Sequence, residues 1–505
     1  MIDTTAAGVW AKLDGARTSL MKRVERYAAL TLPKICLPPG FDQMATDQAH
    51  DYQSIGAQAV NHVTNKIMLA LFAPSRPFFK LQPGKKTKKE LDGAGIDEKQ
   101  IAAILSKAER EAISTLDARG QRPRLYQMIR HLVVAGNVLL CGLDTEKLRV
   151  MGMRYFCVKR CADGRLHTLV IKERVKFDEL DPAAAAEYKG AVGDAEVDHY
   201  RLIQLSTTGD YTMTQWINTQ QLSEKFNGKW PEAKLPYRVL TWDLGDEADY
   251  ATSLVEEYIG DFESMSVLSE NVVNGAVLGT EFRWMVNPTG MTSATDLNNS
   301  QNGDALPGKK EDVDQVGGGN PQSVEMAREL LKDFEQRISR GFLLNSAVTR
   351  DAERVTAEEI RMTAMELETA YGGVYSALAV TIQTPLAYWL LMAVDKDIQS
   401  KDLQVVIITG LDALSRSGDL ENLRLALQDL AMMSQLPPDL QARLDMKLIA
   451  EFIGNGRGVD LAGFMLSEDK VKENMAQAAH GRVAEASATA AGEAQAQANA
   501  QPPAQ

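Results

Sequence analysis

NPQSVEMARELLKDFEQRISRGFLLNSAVTRDAERVTAEEIRMTAMELETAYGGVYSALAVTIQTPLAYWLL, residues 320–391, reads as two long helices joined by a short polar segment. Asn320 offers a side-chain cap, and Pro321 takes the first helical position, where its missing N–H costs nothing. Val324, Ala327, Leu331, Phe334, Ile338 and Phe342 then recur in steps of three and four. That spacing draws one apolar stripe down a rod of roughly 24 residues, or about 36 Å. Glu325, Arg328, Glu329, Lys332, Asp333, Glu335, Arg337 and Arg340 cover the opposite side, the pattern of a solvated helix face. Asn345 to Arg354 is too polar for a core and predicts a loop. Thr356-Ala357-Glu358-Glu359 is a capping box, stapled by Val355 and Ile360, so a second helix starts there. Gly372-Gly373 weakens its middle, and Pro385 ends or kinks it.

Working outward, Leu254, Tyr258, Phe262, Met265, Leu268 and Val272 repeat the same spacing, predicting another rod over Ser253 to Val273 closed by Gly275 and Gly279. Phe282, Trp284 and Val286 alternate as in a strand, and the Gly-, Asn-, Asp- and Ser-rich stretch to Gly319 predicts a compact, loop-rich tip. A rod out, a tip and a rod back is the simplest arrangement. Upstream, helices are expected over residues 1–30, Tyr52 to Phe72, about 97–117 and about 123–141. The texture then turns β-rich: Tyr155 to Arg160 and Leu166 to Val175 flank an Asp163-Gly164 turn, and Tyr200 to Leu205 and Tyr211 to Ile217 flank Thr208-Gly209-Asp210. Leu235 to Leu244 offers a further strand. Downstream, Val405 to Thr409 is β-like, helices are expected at about 412–433, 438–454 and 467–478, and the Ala/Gln-rich tail from Ala476 lacks core-forming residues. The fold class is α+β, mainly α.

A 505-residue chain with 45% apolar residues can fill two to four domains. Its net charge, 55 − 68 = −13, argues against a protein that grips phosphates by neutralising them and suits one that DNA slides past. The four cysteines are irregularly spaced, the N-terminus has no signal core, and the longest apolar run, Leu132 to Leu143, is shorter than the ~20 residues that cross a bilayer. Lys85, Lys86, Lys88 and Lys89 form a basic patch that reads as a phosphate contact or simply a solvated loop. Cys157, Cys161 and His167 lack a second ligand pair at zinc-finger spacing. Catalytic signatures are missing as well. No GxxxxGK[ST] phosphate loop, HExxH, EF-hand or GxSxG occurs, so no residue is assigned catalysis and no cofactor or metal is expected.

GFLLNSAVTRDAERVTAEEIRMTAMELETAYGGVYSALAVTIQTPLAYWLL (341–391) closely resembles the portal protein, or head-to-tail connector, of short-tailed bacteriophages. YQSIGAQAVNHVTNKIMLALFAPSRPFFKL (52–81), HLVVAGNVLL (131–140), SLVEEYIGDF (253–262), MVNPTGMT (285–292) and TGLDALSRSGDLENL (409–423) resemble the same family in the same order, from about Tyr52 to Met475. The resemblance implies a portal fold with long antiparallel stem helices, a mixed α/β wing, a small clip and a helical crown. It divides the chain into wing (1–250), stem helix (251–275), clip (276–319), second stem helix (320–344), tunnel loop (345–355), kinked wing helix (356–400), crown (401–475) and tail (476–505). Relatives carry a Gly-containing turn before the first stem helix; Tyr250-Ala251-Thr252-Ser253 here implies a stiffer hinge.

By that resemblance a homo-oligomeric ring, expected to hold about twelve copies, sits at one capsid vertex of the virion and is assembled in the host cytoplasm. Double-stranded DNA would pass through it during packaging and ejection. Its further partners would be a terminase motor, a tail adaptor protein, capsid and scaffold proteins, and internal core or ejection proteins at the crown. Asn345, Ser346, Thr349, Arg350 and Arg354 would face DNA in the tunnel loop, with Lys332, Arg337 and Arg340 facing the channel from the stem. Arg350 and Arg354 have an alternative use in pairing with Asp351, Glu353 or a neighbouring subunit. Another virion protein, a tail adaptor or a scaffold, is the competing reading, although an adaptor would be shorter and a scaffold would lack the hairpins.

Overall fold

A computed structural model describes residues 5–41, 51–73, 77–83, 98–143, 145–188, 190, 193–280, 282–317, 321–344, 357–394 and 403–407, with single positions between 424 and 453. The chain divides into a unit over 1–412, followed here, and another over 413–505 that lies almost wholly outside the described residues. The crown helices, the four-lysine patch, the Asn320 and Thr356 caps and the tunnel loop all fall outside them.

Helices α1 (Ala6–Ala16) and α2 (Thr18–Leu30) open the chain. The single helix expected there is parted at Arg17, whose buried guanidinium donates to Met153 O and Phe156 O, both at 2.7 Å, and rivets the break onto the sheet. Next come α3 (Ile55–Leu71), β1 (Phe79–Pro83), α4 (Glu98–Ala118) and α5 (Arg122–Ala135). Helix α5 stops six residues before the expected end at 141. Gly136 adopts φ +70°, a left-handed closure open to glycine, and a Cβ there would stand 2.7 Å from the carbonyl oxygens of Ala251 and Thr252. Asn137–Cys141 is therefore strand β2, buried at every position. An apolar run of that length has no periodicity to separate strand from helix.

Strand β2 is the centre of a three-stranded antiparallel sheet between β3 (Arg149–Met151) and β10 (Arg238–Thr241). A second antiparallel sheet runs through β4 (Phe156–Arg160), β5 (Leu166–Lys176), β6 (Glu196–Leu205), β7 (Asp210–Ile217) and β8 (Gln220–Gln221), with β9 (Gly228–Pro231) also on β7. Gly164 (φ +80°) and Gly209 (φ +87°) supply the left-handed residues that its hairpin turns need. A short helix, α6 (Pro182–Glu187), follows β5.

The chain then leaves through α7 (Leu254–Glu257) and α8 (Ile259–Thr280), makes a two-stranded tip from β11 (Phe282–Val286) and β12 (Val313–Gly317) around α9 (Ala294–Asn299), and returns as α10 (Pro321–Gly341). The rod expected to close at Gly275 and Gly279 runs through both glycines as α8 and ends at Thr280. Gly275 serves close packing instead, since a Cβ there would lie 3.0 Å from Val324 Cγ2 on α10. Helices α11 (Ala357–Tyr371) and α12 (Gly373–Val394) follow, with the break at Gly372 (φ +57°). Pro385 lies inside α12 without ending it. Buried Ile382, Leu386 and Leu390 on either side hold the helix through the lost hydrogen bond. By length and composition α12 could cross a bilayer, yet Tyr375, Leu378, Ile382, Gln383 and Leu390 are buried in the core, and Gln383 Nε2 donates to Leu71 O at 2.5 Å. Finally β13 (Leu403–Ile407) pairs with β1, Phe79 opposite Ile407.

His131 on α5 is 5% exposed, its Nδ1 has no hydrogen-bond partner among the described residues, and burial holds its pKa down at about 4. A depressed folded pKa means that the unfolded chain takes up the proton first as pH falls. Stability from this group is therefore complete above about pH 6.5 and is lost between there and pH 4, by roughly 3 kcal/mol. Urea midpoints should fall between pH 7 and pH 5, and His131→Gln should flatten that slope.

Candidate functional site

The two rods meet the rest of the fold at an aromatic junction. Phe342, just past α10, is fully buried, with ring centroids 5.4 Å from Tyr258 and 5.5 Å from Phe262, both edge-on. A side chain on Gly341 would run into the Tyr258 ring. Tyr371, at the end of α11, donates its hydroxyl to Gly341 O at 3.1 Å and packs edge-on against Trp242 at 5.7 Å. Burial, with Tyr258 and Glu366 nearby, pushes the Tyr371 phenol well above its ordinary range, so it stays a neutral donor.

The contacts along the rods pair Tyr258 with Gly341, Asp261 with Arg337 (3.7 Å) and Gly275 with Val324, the register of an antiparallel hairpin. At 1.5 Å per residue, α8 and α10 are each about 32 Å long. Among the described residues of the rods, apolar burial is complete only at the root, at Phe262, Ile338 and Phe342; further out Val267, Val273, Val277, Leu278, Met326 and Leu330 are exposed.

Two devices fix the root. Asn137, fully buried, brackets Ala251: its Nδ2 donates to Ala251 O at 3.0 Å and its Oδ1 accepts from Ala251 N at 2.9 Å. Ser253 Oγ then accepts from Glu256 N at 3.0 Å and starts α7. Where α10 re-enters the root, Leu344 N donates to Ser339 O (2.7 Å) and Leu343 N to Arg340 O (3.2 Å), with Leu343 at φ +56°. This is a Schellman closure, with a leucine where glycine is usual. His62 on α3 hydrogen-bonds the Leu343 backbone, and one turn on, the buried Lys66 ammonium meets Glu366 of α11 at 2.7 Å. Helix α3 thus touches the chain on both sides of the segment 345–356.

Of the residues expected to face a channel, Asn345, Ser346, Thr349, Arg350 and Arg354 lie outside the described residues. Lys332, Arg337 and Arg340 are exposed on α10. Arg337 is turned toward α8 by Asp261 and covers the Phe334 ring at 5.1 Å, whereas Lys332 and Arg340 make no ion pair among the described residues. Cys157 is buried beside Asp14, and among the described residues no cluster of three metal-binding side chains occurs. Sequence reading missed Asn137, Trp242 and the Lys66–Glu366 pair. Partners 114, 129 and 300 residues apart leave no local signal.

An α+β chain with a long antiparallel helical hairpin and a mixed helix-and-sheet body is the class these features define. Residues 3–465 match the bacteriophage head to tail connecting protein family, to which the chain belongs. It is 32% identical to the portal protein of Escherichia phage T7 over 94% of this chain and 90% of that one. It is also 32% identical to that of Pseudomonas phage phiKMV, covering 94% of both, and 30% identical to that of Enterobacteria phage SP6, covering 93% and 92%. A chain from the neck of an empty GTA particle aligns over 75% of this chain and 87% of its own at 12% identity and a TM-score of 0.37.

Replacing Asn137 with alanine strands the N–H and C=O of Ala251 in the interior, at a cost of about 2–3 kcal/mol. The denaturation midpoint should drop accordingly. Hydrogen exchange should speed up first in residues 251–258 while strands β5 to β7 keep their protection.

Proposed function

We infer that this chain is the portal subunit of a short-tailed phage, a structural virion protein at the head-to-tail connection rather than an enzyme. The observation that carries the reading is the exposed apolar surface on the hairpin of a connector-family chain. Val267, Val273, Val277 and Leu278 on α8 and Met326 and Leu330 on α10 stand exposed in the single subunit. Exposed apolar stretches of this extent mark a protein contact, and a head-to-tail contact between identical subunits that closes on itself makes a ring. The capsid, the packaging motor and the tail are the partners of such a ring, and DNA is its cargo. Wing, stem, clip and crown are proposed to follow the boundaries read from the sequence, the tip β11–α9–β12 being the clip.

Within that ring the segment from Asn345 to Arg354 is the element proposed to face DNA, with Lys332 and Arg340 the stem cations that make no ion pair among the described residues. The purified protein should appear in electron micrographs as a ring of about twelve subunits with a central hole. A protein that stays monomeric at high concentration and in capsids sinks the reading. Converting both Arg350 and Arg354 to alanine should leave ring assembly intact and lower the DNA packaged or retained per capsid; an unchanged genome content removes those arginines from the channel.

A further inference from the structure

The hairpin has two unlike sides, set by where its exposed residues fall around each rod. On α10 the stripe of Val324, Ala327, Leu331, Phe334 and Ile338 is turned to α8. About a quarter turn from it in one direction stand Met326 and Leu330; about a quarter turn in the other stand Arg328, Lys332 and Glu335. On α8 the inward stripe is Phe262, Met265, Leu268, Val272 and Gly275. Because both rods are right-handed and run antiparallel, Val267 and Leu278 of α8 fall on the same side of the hairpin as Met326 and Leu330. Val273 and Val277 fall on the opposite side, beside the charged strip of α10. All six apolar residues are exposed.

The levels along the hairpin are fixed by the pairs Tyr258 with Gly341, Asp261 with Arg337 and Gly275 with Val324. Met326 is thereby level with Val273, and Leu330 with Ser269. Leu330 and Met326 thus lie between Val267 and Leu278 and complete an apolar patch about 16 Å long. Val273 and Val277 make a ridge at the same heights on the other side. Nearer the root, Asp333 and Arg337 border the patch, the latter held only loosely by Asp261 at 3.7 Å. Within about 3 Å of their two levels the other side carries Lys332 and Glu335, each of the opposite sign.

A cyclic ring turns each copy about the axis without shifting it along the axis. With the rods along that axis, the ridge of one copy arrives level with the patch of the next, and Lys332 and Glu335 arrive level with Asp333 and Arg337. We propose that the patch of Val267, Leu278, Met326 and Leu330 seats a second copy of this chain, which lays Val273 and Val277 of its own α8 against it. Resting on the portal reading, this pairing names the two faces that meet and gives the contact one sense around the ring. The back of α10, with Glu325, Glu329 and Arg340 exposed, stays in water.

Cross-linking of the full-length protein tests the pairing. Cys36, Cys141 and Cys157 are buried, so Cys161→Ser alone gives a quiet background. On it, Val273→Cys with Met326→Cys, and separately Val273→Cys with Leu330→Cys, are treated with a bifunctional maleimide and run on a denaturing gel. Either pair should give a ladder of covalent multimers, whereas each single variant should stay monomeric on the gel. Leu330→Glu, which buries an unpaired charge in the contact, should raise the concentration at which rings form at least about tenfold. Dimers from a single-cysteine variant mean like faces meeting like and overturn the pairing. Rings in electron micrographs that give no ladder from either pair mean that the patch takes another occupant; they overturn the pairing and leave the portal reading standing. A protein that forms no ring defeats both.

Discussion

The packing of Phe342 between Tyr258 and Phe262 is the contact on which the rest of the structure depends. Both rods, the turn that closes α10 and the end of α11 converge there, because Tyr371 reaches Gly341 O from one side while its ring seats on Trp242 from the other. Without that junction the hairpin would be two helices held by partial burial alone, since full burial of its apolar side chains is confined to Phe262, Ile338 and Phe342. A rod gripped at one end transmits the orientation of its root to its tip. The bracket of Asn137 on Ala251 and the Ser253 cap then set that orientation from the three-stranded sheet.

Charge along the hairpin is divided unevenly. Helix α8 carries Asp261, Glu263 and Glu270 and no lysine or arginine, and much of its remaining surface is Ser, Asn, Val and Leu. Helix α10 carries four acidic and four basic residues. A helix with Val267, Val273, Val277 and Leu278 exposed needs cover on more than the side its partner occupies, whereas the charged side chains of α10 can stay in water. The Asp261–Arg337 pair at 3.7 Å is too exposed to hold the rods together; it trims one cation from the face that Lys332 and Arg340 still show.

What could be read from the sequence is what depends on neighbours in the chain. The three-and-four spacing announced α10, and the Asp163-Gly164 and Thr208-Gly209 turns announced the hairpins, because periodicity and turn chemistry are local. The errors share one cause. Glycine was taken as a breaker at Gly275, where the demand came from Val324 across the hairpin, and was passed over at Gly136, where it came from Ala251 and Thr252. Proline was expected to end or kink the helix at Pro385, and it does not end it, because surrounding core holds the helix. In each case a partner distant in sequence decided the local conformation. The site divides in the same way: its rods were legible, and its anchors, Trp242 on Tyr371 and Lys66 on Glu366, were not.

Leu343 shows how these levels combine. A left-handed leucine costs about 1 kcal/mol or more relative to glycine, so something must over-determine it. Three constraints do: the paired Schellman bonds to Ser339 and Arg340, burial of the adjacent Phe342, and the hydrogen bond from His62. The same helix α3 holds Glu366 through Lys66, beyond the segment 345–356. The span available to that segment is thus set by α3 rather than by the segment's own sequence. Leu343 before the segment and Glu366 after it are both tied to that one helix, so the positions of its flanks are coupled.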